Sequence, residues 1–314
     1  MSLSITLASK DNFTDNKMTI HAVKYTHTEK EFEEMRVLLT DSYRLSRKPF
    51  NWRLAMAENW NHASRYLEPL EYFTSRAHLW RNEMGELVGF LIRDNFLVYP
   101  QVQSGYRDLE SEMFDWAECN WMTEKAQVST MVYDWDSERQ DLLTQRSYEN
   151  LGAIEDVRIY DLSRKYPEPS LPPGFQVRSM AEYGNAKARV DLENSVWGAT
   201  LDEAWFKGKS SAPSYSPHLD LMAISPEEKP VAASLVWLYP ENKMAEIDPL
   251  GTHPDYRRQG LARALVLESF KRMRSHGMHS AYIASFAKDL IVSDLYSSLQ
   301  PAETYQGFHW AKQV

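Results

Sequence analysis

The residues best equipped for chemistry in this 314-residue chain lie in one stretch, AEIDPLGTHPDYRRQGLARAL, from Ala245 to Leu265. Its first part reads as a strand, and Glu246 and Asp248, two positions apart, share one face of it. Its second part runs through Arg257, Arg258, Gln259, Gly260, Leu261 and Ala262, a turn that feeds directly into a helix. Such a turn aims unpaired backbone N–H groups at the positive end of a helix dipole, and together these bind a pyrophosphate. Gly260 and Ala262 suit the task, because a side chain longer than a methyl would hold phosphates off the backbone. Arg257 and Arg258 stand in the turn itself, where an anion would lie. Lys271, Arg272 and Arg274 read instead as a solvated helix face.

Positioning these residues takes a strand before the turn and a helix after it. Met244 to Thr252 reads as the strand, with Pro249 suited to a place where pairing breaks. From Gly260, the spacing of Leu261, Ala264, Leu265, Leu267 and Phe270 predicts a helix with one buried side, closed near Gly277. Upstream, Phe175–Ser179 reads as an opening strand and Thr200–Glu203 as a capping box that starts a short helix. Leu219–Ile224 and Val231–Tyr239 form a strand pair around Ser225–Lys229. Downstream come a strand from Ala281, a helix over Ser293–Leu299 and a last strand over Thr304–Trp310. Strands alternating with helices predict an α/β fold with a mixed sheet flanked by helices.

The same order of parts runs through the first half. Ile20–Tyr25 opens it, strands at His78–Trp80 and Leu87–Ile92 follow, and Tyr148–Gly152 leads toward a closing strand. Between the halves, Tyr166–Gly174 holds four prolines in nine residues, which neither a helix nor a central strand tolerates. The expected organisation is therefore a flexible tail over 1–17, a domain over 18–165, a linker over 166–173 and a second domain over 174–314. Length alone favours two domains.

Composition narrows the function classes. The net charge is −9, with −7 over residues 1–165 and −2 over 166–314, so binding nucleic acid by phosphate neutralisation is not expected. Cys119 stands alone, which excludes an intramolecular disulfide and a cysteine-built zinc site and fits a cytoplasmic setting. No apolar run approaches a membrane span. The histidines lack metal-ligand spacing, so no metal is expected, and His253 reads as a structural hydrogen-bonder.

The turn and its flanks resemble the acyl-CoA loop of the GNAT superfamily of acetyltransferases, Arg/Gln-x-x-Gly-x-Gly/Ala, with Arg257, Gly260 and Ala262 at the defining positions and Thr252-His253-Pro254 upstream. The resemblance implies acetyl-CoA, or another acyl-CoA, as co-substrate, held by Leu250, Gly251, Thr252, Arg257, Arg258, Gln259, Gly260, Leu261, Ala262 and Arg263. It implies N-acetyl transfer to a small-molecule or peptide amine by direct attack. Glu246 matches a glutamate that serves as base in such families, and either it or Asp248 takes the proton of the amine. Tyr296, in Leu295-Tyr296-Ser297-Ser298-Leu299-Gln300-Pro301, matches the tyrosine that protonates the departing thiolate. The pattern's Gly-Phe is lost there, and Asp289 replaces its asparagine. A non-catalytic acyl-CoA-binding sensor or interaction module is the alternative.

If the first half repeats this fold, its turn follows Val98–Pro100. Counting from Pro100 sets Gln103, Tyr106 and Asp108 where Arg257, Gly260 and Ala262 stand. A ring and a carboxylate there would obstruct and repel a pyrophosphate, so the arrangement resembles tandem GNAT proteins with a degenerate N-terminal half. Trp52, Trp60, Trp116 and Trp121 read mainly as packing residues.

Overall fold

Strands and helices follow one another as the periodicities predict, in two repeats of the same order. The computed structural model describes residues 4–6, 19–48, 51–122 and 127–312. The first repeat holds β1 (Ser4–Thr6), β2 (Thr19–Lys24), α1 (Glu29–Ser46), α2 (Leu54–Glu58), α3 (Leu70–Thr74), β3 (Ala77–Asn82), β4 (Leu87–Asp94), β5 (Leu97–Val102), α4 (Leu109–Trp121), β6 (Val128–Tyr133), α5 (Ser137–Gln145) and β7 (Glu149–Asp161). The second holds β8 (Gln176–Ser179), α6 (Met180–Tyr183), α7 (Ala186–Trp197), α8 (Glu203–Ser210), β9 (Asp220–Ile224), β10 (Pro230–Tyr239), β11 (Met244–Thr252), α9 (Leu261–Ser275), β12 (Ser280–Phe286), α10 (Leu290–Ser297) and β13 (Glu303–Lys312).

The chain nevertheless divides into two compact units that do not follow the repeats. Unit 1 comprises residues 1–54, 68–154 and 306–314, and unit 2 comprises 55–67 and 155–305. The proline-rich segment 166–173 lies inside unit 2 and is not the boundary between them. Each unit instead takes the closing strand of the other repeat. In unit 1, residues 307–312 of β13 pair antiparallel with β6. In unit 2, residues 155–161 of β7 pair antiparallel with β12.

In unit 1, β1 to β5 form an antiparallel sheet in sequence order. Ser4–Thr6, within the expected tail, is its edge strand; residues 7–18 lie outside the described residues. Leu109, Met113, Phe114 and Ala117 on one face of α4 pack on Trp80, Val88, Leu91 and Val98 of the sheet. Helix α1 begins with a capping box made by Thr28 and Glu31.

In unit 2 the sheet order is β7-β12-β11-β10-β9-β8, mixed because β11 and β12 run parallel. Val266, Phe270 and Met273 of α9 pack on Val236, Ala245, Ile247 and Ile283. Each such fully buried apolar side chain contributes about 1.5–3 kcal/mol. Two boundaries differ from expectation. The cap of α8 is Asp202, whose carboxylate accepts from Trp205 N at 3.0 Å, so Thr200 is not the capping residue. Helix α10 starts at Leu290 rather than Ser293, because Asp289 caps it by accepting from Val292 N at 3.0 Å.

Candidate functional site

The parallel pairing of β11 with β12 lasts four residues, from Met244↔Ser280 to Ile247↔Ile283. Both strands continue, β11 to Thr252 and β12 to Phe286, without further pairing between them. The cause lies on the other edge of β11. Ser234 faces Leu250 and Val236 faces Ile247, so two steps along β10 span three along β11, a bulge at Asp248–Pro249. Proline brings no N–H to a ladder, which is why it fits this interruption. The Asp248 carbonyl freed by the bulge accepts from Trp237 Nε1 at 2.6 Å. The result is a wedge between two strands, lined on one side by Leu250, Gly251 and Thr252. Gly251 is required by packing, since a Cβ there would lie 2.5 Å from Val196 Cγ1 of α7.

At the end of β11 the chain makes a single 3-10 turn, Pro254–Tyr256, and then the four residues 257–260 lead into α9. His253 Nδ1 accepts from Asp255 N at 3.2 Å, the structural use expected of it, and Arg257 Nε donates to Thr252 O at 3.2 Å. Arg258 (φ 65°) and Gly260 (φ 82°) both adopt the left-handed conformation that lets the turn close. Gly260 is the helix cap, no side chain among the described residues bonds the first-turn amides, and no acidic residue sits in that turn. The space around Gly260 is open, with no described atom beyond its own chain neighbours within 4 Å of where a Cβ would stand. These amides therefore face outward at the positive end of a fifteen-residue helix. Arg257, Arg258 and Gln259 are exposed beside them, while Leu261 is buried as the first anchor of α9. Ala262 is half-buried, and Arg263 Nη1 donates to Ser298 Oγ at 2.8 Å. Arg263, Arg164 and Lys165 line a cleft of about 210 Å³ next to this helix start.

Ala245 and Ile247 enter the core under α9, so alternation turns Glu246 and Asp248 to the opposite side of β11. Glu246 is 2% exposed and its Oε2 accepts from Ala55 N at 3.3 Å. Asp248, half-buried, acts electrostatically on both Tyr296 and Lys209. Tyr296, on α10, is 4% exposed. Burial, followed by the charge of Asp248, pushes its hydroxyl well above the usual tyrosine range, so it stays protonated at neutral pH. The Arg158 guanidinium lies 5.7 Å from its ring centroid. Thus Asp248 and Tyr296 are within electrostatic reach of each other, with Glu246 one turn of the strand pleat away.

Sequence reasoning missed two features around these carboxylates. One is the segment 55–67, which supplies Ala55 to Glu246. It also supplies Glu58, 0% exposed, whose Oε1 accepts from Ser214 Oγ at 2.8 Å. Its helical turn over Asn59–Ala63 is of the rare π type, which concentrates at functional sites. The clustering of Trp60, Asn61 and His62 beside Glu58 was its only sequence signal. The other is a buried ionic group on α7, α8 and β9. Arg189 donates to Asp220 Oδ1 at 3.0 Å and Glu193 Oε2 at 2.6 Å. Burial lowers the Lys209 ammonium below the usual lysine range, and it lies 4.7 Å from the Trp205 ring centroid. Burial raises the Glu193 carboxyl, but Lys209 and Arg189 outweigh that and hold it low.

The corresponding place in unit 1 is built differently. Only residues 107 and 108 separate the 3-10 turn Ser104–Tyr106 from α4, so Asp108, not Tyr106, occupies the capping position of Gly260. The first turn of α4 carries Glu110 and Glu112. Arg107 is engaged by Asp136 at 2.7 Å, and Arg139 grips both oxygens of Glu110 at 2.8 Å. Between β5 and β6, which share no ladder, Asn51 donates to Met131 O at 2.8 Å and accepts from Gln101 Nε2. A side chain thus bridges the gap that stands open between β11 and β12. Trp52 and Trp121 are buried in unit 1 and Trp60 in unit 2, as packing residues. Trp116, half-buried, stacks on His78 at 4.1 Å.

Among the described residues no three His, Cys, Asp or Glu are grouped to hold a metal, and no helix is long and apolar enough to cross a membrane. No curated protein matches the chain by sequence. Residues 189–299 match the acetyltransferase (GNAT) family model. Among solved structures, the chain is similar to a GCN5-related N-acetyltransferase from Sphaerobacter thermophilus, with 17% identity over 92% of this chain and 95% of that one and a TM-score of 0.60. It is also similar to a tandem GNAT protein from the clavulanic acid biosynthesis pathway, with 14% identity over 93% and 98% and a TM-score of 0.61. A GNAT-family acetyltransferase from Colwellia psychrerythraea shares 12% identity over 94% and 99%, with a TM-score of 0.60. Residues 189–299 thus match the GNAT acetyltransferase model, in a chain whose fold is similar to that of the tandem GNAT structures.

Proposed function

We propose that this protein is an N-acetyltransferase that uses acetyl-CoA, or another acyl-CoA, to acetylate a primary amine at unit 2. The observation that carries the reading is the β11–β12 wedge ending in the uncapped, glycine-started helix α9. Leu250, Gly251 and Thr252 offer a free strand edge to the pantetheine arm. Arg257, Arg258, Gln259, Gly260, Leu261, Ala262 and Arg263 surround the pyrophosphate with amides and positive charge. Open space at Gly260 and the absence of a first-turn acid fit that group. The co-substrate supplies an acetyl carbon already activated as a thioester.

The residues of this chain handle the protons. Glu246 or Asp248 accepts one from the acceptor's ammonium, freeing the nitrogen lone pair for attack. The new C–N bond forms as the C–S bond breaks. Tyr296, kept protonated by burial and by Asp248, supplies a proton to the departing sulfur, and the second proton that the bonded nitrogen sheds to become an amide returns to the tyrosinate. Backbone N–H groups along the open edge of β11 stabilise charge on the carbonyl oxygen. With Glu246 and Asp248 on this side of the strand, a cationic acceptor is favoured over an anionic one.

Calorimetric titration with acetyl-CoA, comparing the native chain with Gly260→Glu, tests the reading. Binding by the native chain that the added carboxylate abolishes supports it and opens a screen of small and peptide amines for thiol release. No binding by the native chain would overturn it.

A further inference from the structure

We propose that unit 1 carries a second anion site, for a small phosphate-bearing molecule, at the end of its sheet beyond the C-terminus of α4. The site is a cleft of about 590 Å³, within the size range of metabolite pockets. Its floor is one face of the antiparallel sheet. Ile20, Trp80 and Leu91 on that face are covered by α4, and toward the end of the strands the same face turns basic. Lys24 lies opposite His78, whose neighbour across β4 is Leu91. One pleat further, Arg93 N donates to Arg76 O at 2.7 Å, which puts the two arginines directly opposite each other.

Three cations on one sheet face repel one another, and like charges set directly opposite, as Arg76 and Arg93 are, destabilise a ladder. Lys24, Arg76 and Arg93 make no ion pair with any described residue. Arg76 lies 4.2 Å from the Tyr72 ring centroid and acts at longer range on Asp94, a half-buried carboxylate that accepts from Trp52 Nε1. The carbonyl end of α4 supplies roughly half an elementary negative charge, short of balancing three cations. Two guanidinium forks beside an ammonium match an oxyanion with several acceptor oxygens, and phosphate offers them in the most compact form. The Trp116 ring on His78 and the Asn120 amide form the opposite wall. This cleft belongs to strands and a helix end remote from the turn at Arg107–Asp108, so it is not the degenerate cofactor position of the first repeat.

The test uses the full chain carrying Gly260→Glu, which closes the α9 turn to anions. Inorganic pyrophosphate, inorganic phosphate and citrate are titrated by calorimetry at constant ionic strength. The expected result is one pyrophosphate per chain, weakened at least about tenfold by Arg93→Ala and about threefold by Lys24→Ala. Circular dichroism checks the fold. Should Arg93→Ala fail to fold, Lys24→Ala decides, because that exposed side chain supports nothing else. No pyrophosphate binding in the Gly260→Glu chain, or affinity unchanged by Lys24→Ala, would overturn the site. Citrate binding as tightly as pyrophosphate would overturn the phosphate assignment.

Discussion

Gly260 combines two requirements that substitution separates. Its φ of 82° lies in the left-handed region, and beyond its chain neighbours no described atom stands within 4 Å of a Cβ position there. Gly260→Ala therefore adds backbone cost without overpacking, about 1–2 kcal/mol. Gly260→Asn costs less, because asparagine tolerates that conformation. Stability, read from urea midpoints, should fall in the order Gly, Asn, Ala. Affinity for acetyl-CoA should follow a different order, Gly and Ala above Asn, with Glu lowest, because phosphates meet the side chain's size and charge rather than its backbone preference. Crossed orders are the signature of a residue held by conformation on one side and by a ligand on the other. If Ala costs nothing, or Asn costs as much as Ala, the conformational argument fails. If affinity simply tracks stability, the ligand argument fails.

Three further outcomes are expected. Tyr296→Phe should lower kcat by about 10²-fold or more while leaving calorimetric acetyl-CoA affinity nearly unchanged, since it removes a proton donor and little volume. Burial pushes the His78 imidazole down from 6.5 to about 4, so stability is full above pH 6.5 and falls as the pH drops toward 4. The loss is at most about 3 kcal/mol, less after solvent screening, and urea midpoints of His78→Leu should lack that part of the slope. A fragment of residues 174–314 should give no cooperative thermal transition, because it lacks strand residues 155–161 and segment 55–67 of unit 2.

The sequence by itself determined the parts that depend on neighbours in the chain. The alternation of β11, the apolar stripe of α9 and the turn at Gly260 are local, and each element formed where its pattern stood. Local signals also supplied the residue types of the site, since Glu246, Asp248 and Tyr296 declare their chemistry wherever they lie. The structure decided what depends on partners distant in sequence. Alternation cannot say which strand pairs with which, so the exchange of β7 and β13 between units was invisible, and a proline run passed for a boundary. The position of Asp108 at the helix start depends on a turn two residues shorter than its counterpart, which counting from Pro100 could not reveal. Burial of Glu246 under the Ala55 amide and the shift at Tyr296 arise from low-dielectric surroundings built by elements up to 191 residues apart. Chemical identity is a property of the residue; proton affinity and access are properties of its surroundings, and only packing creates those.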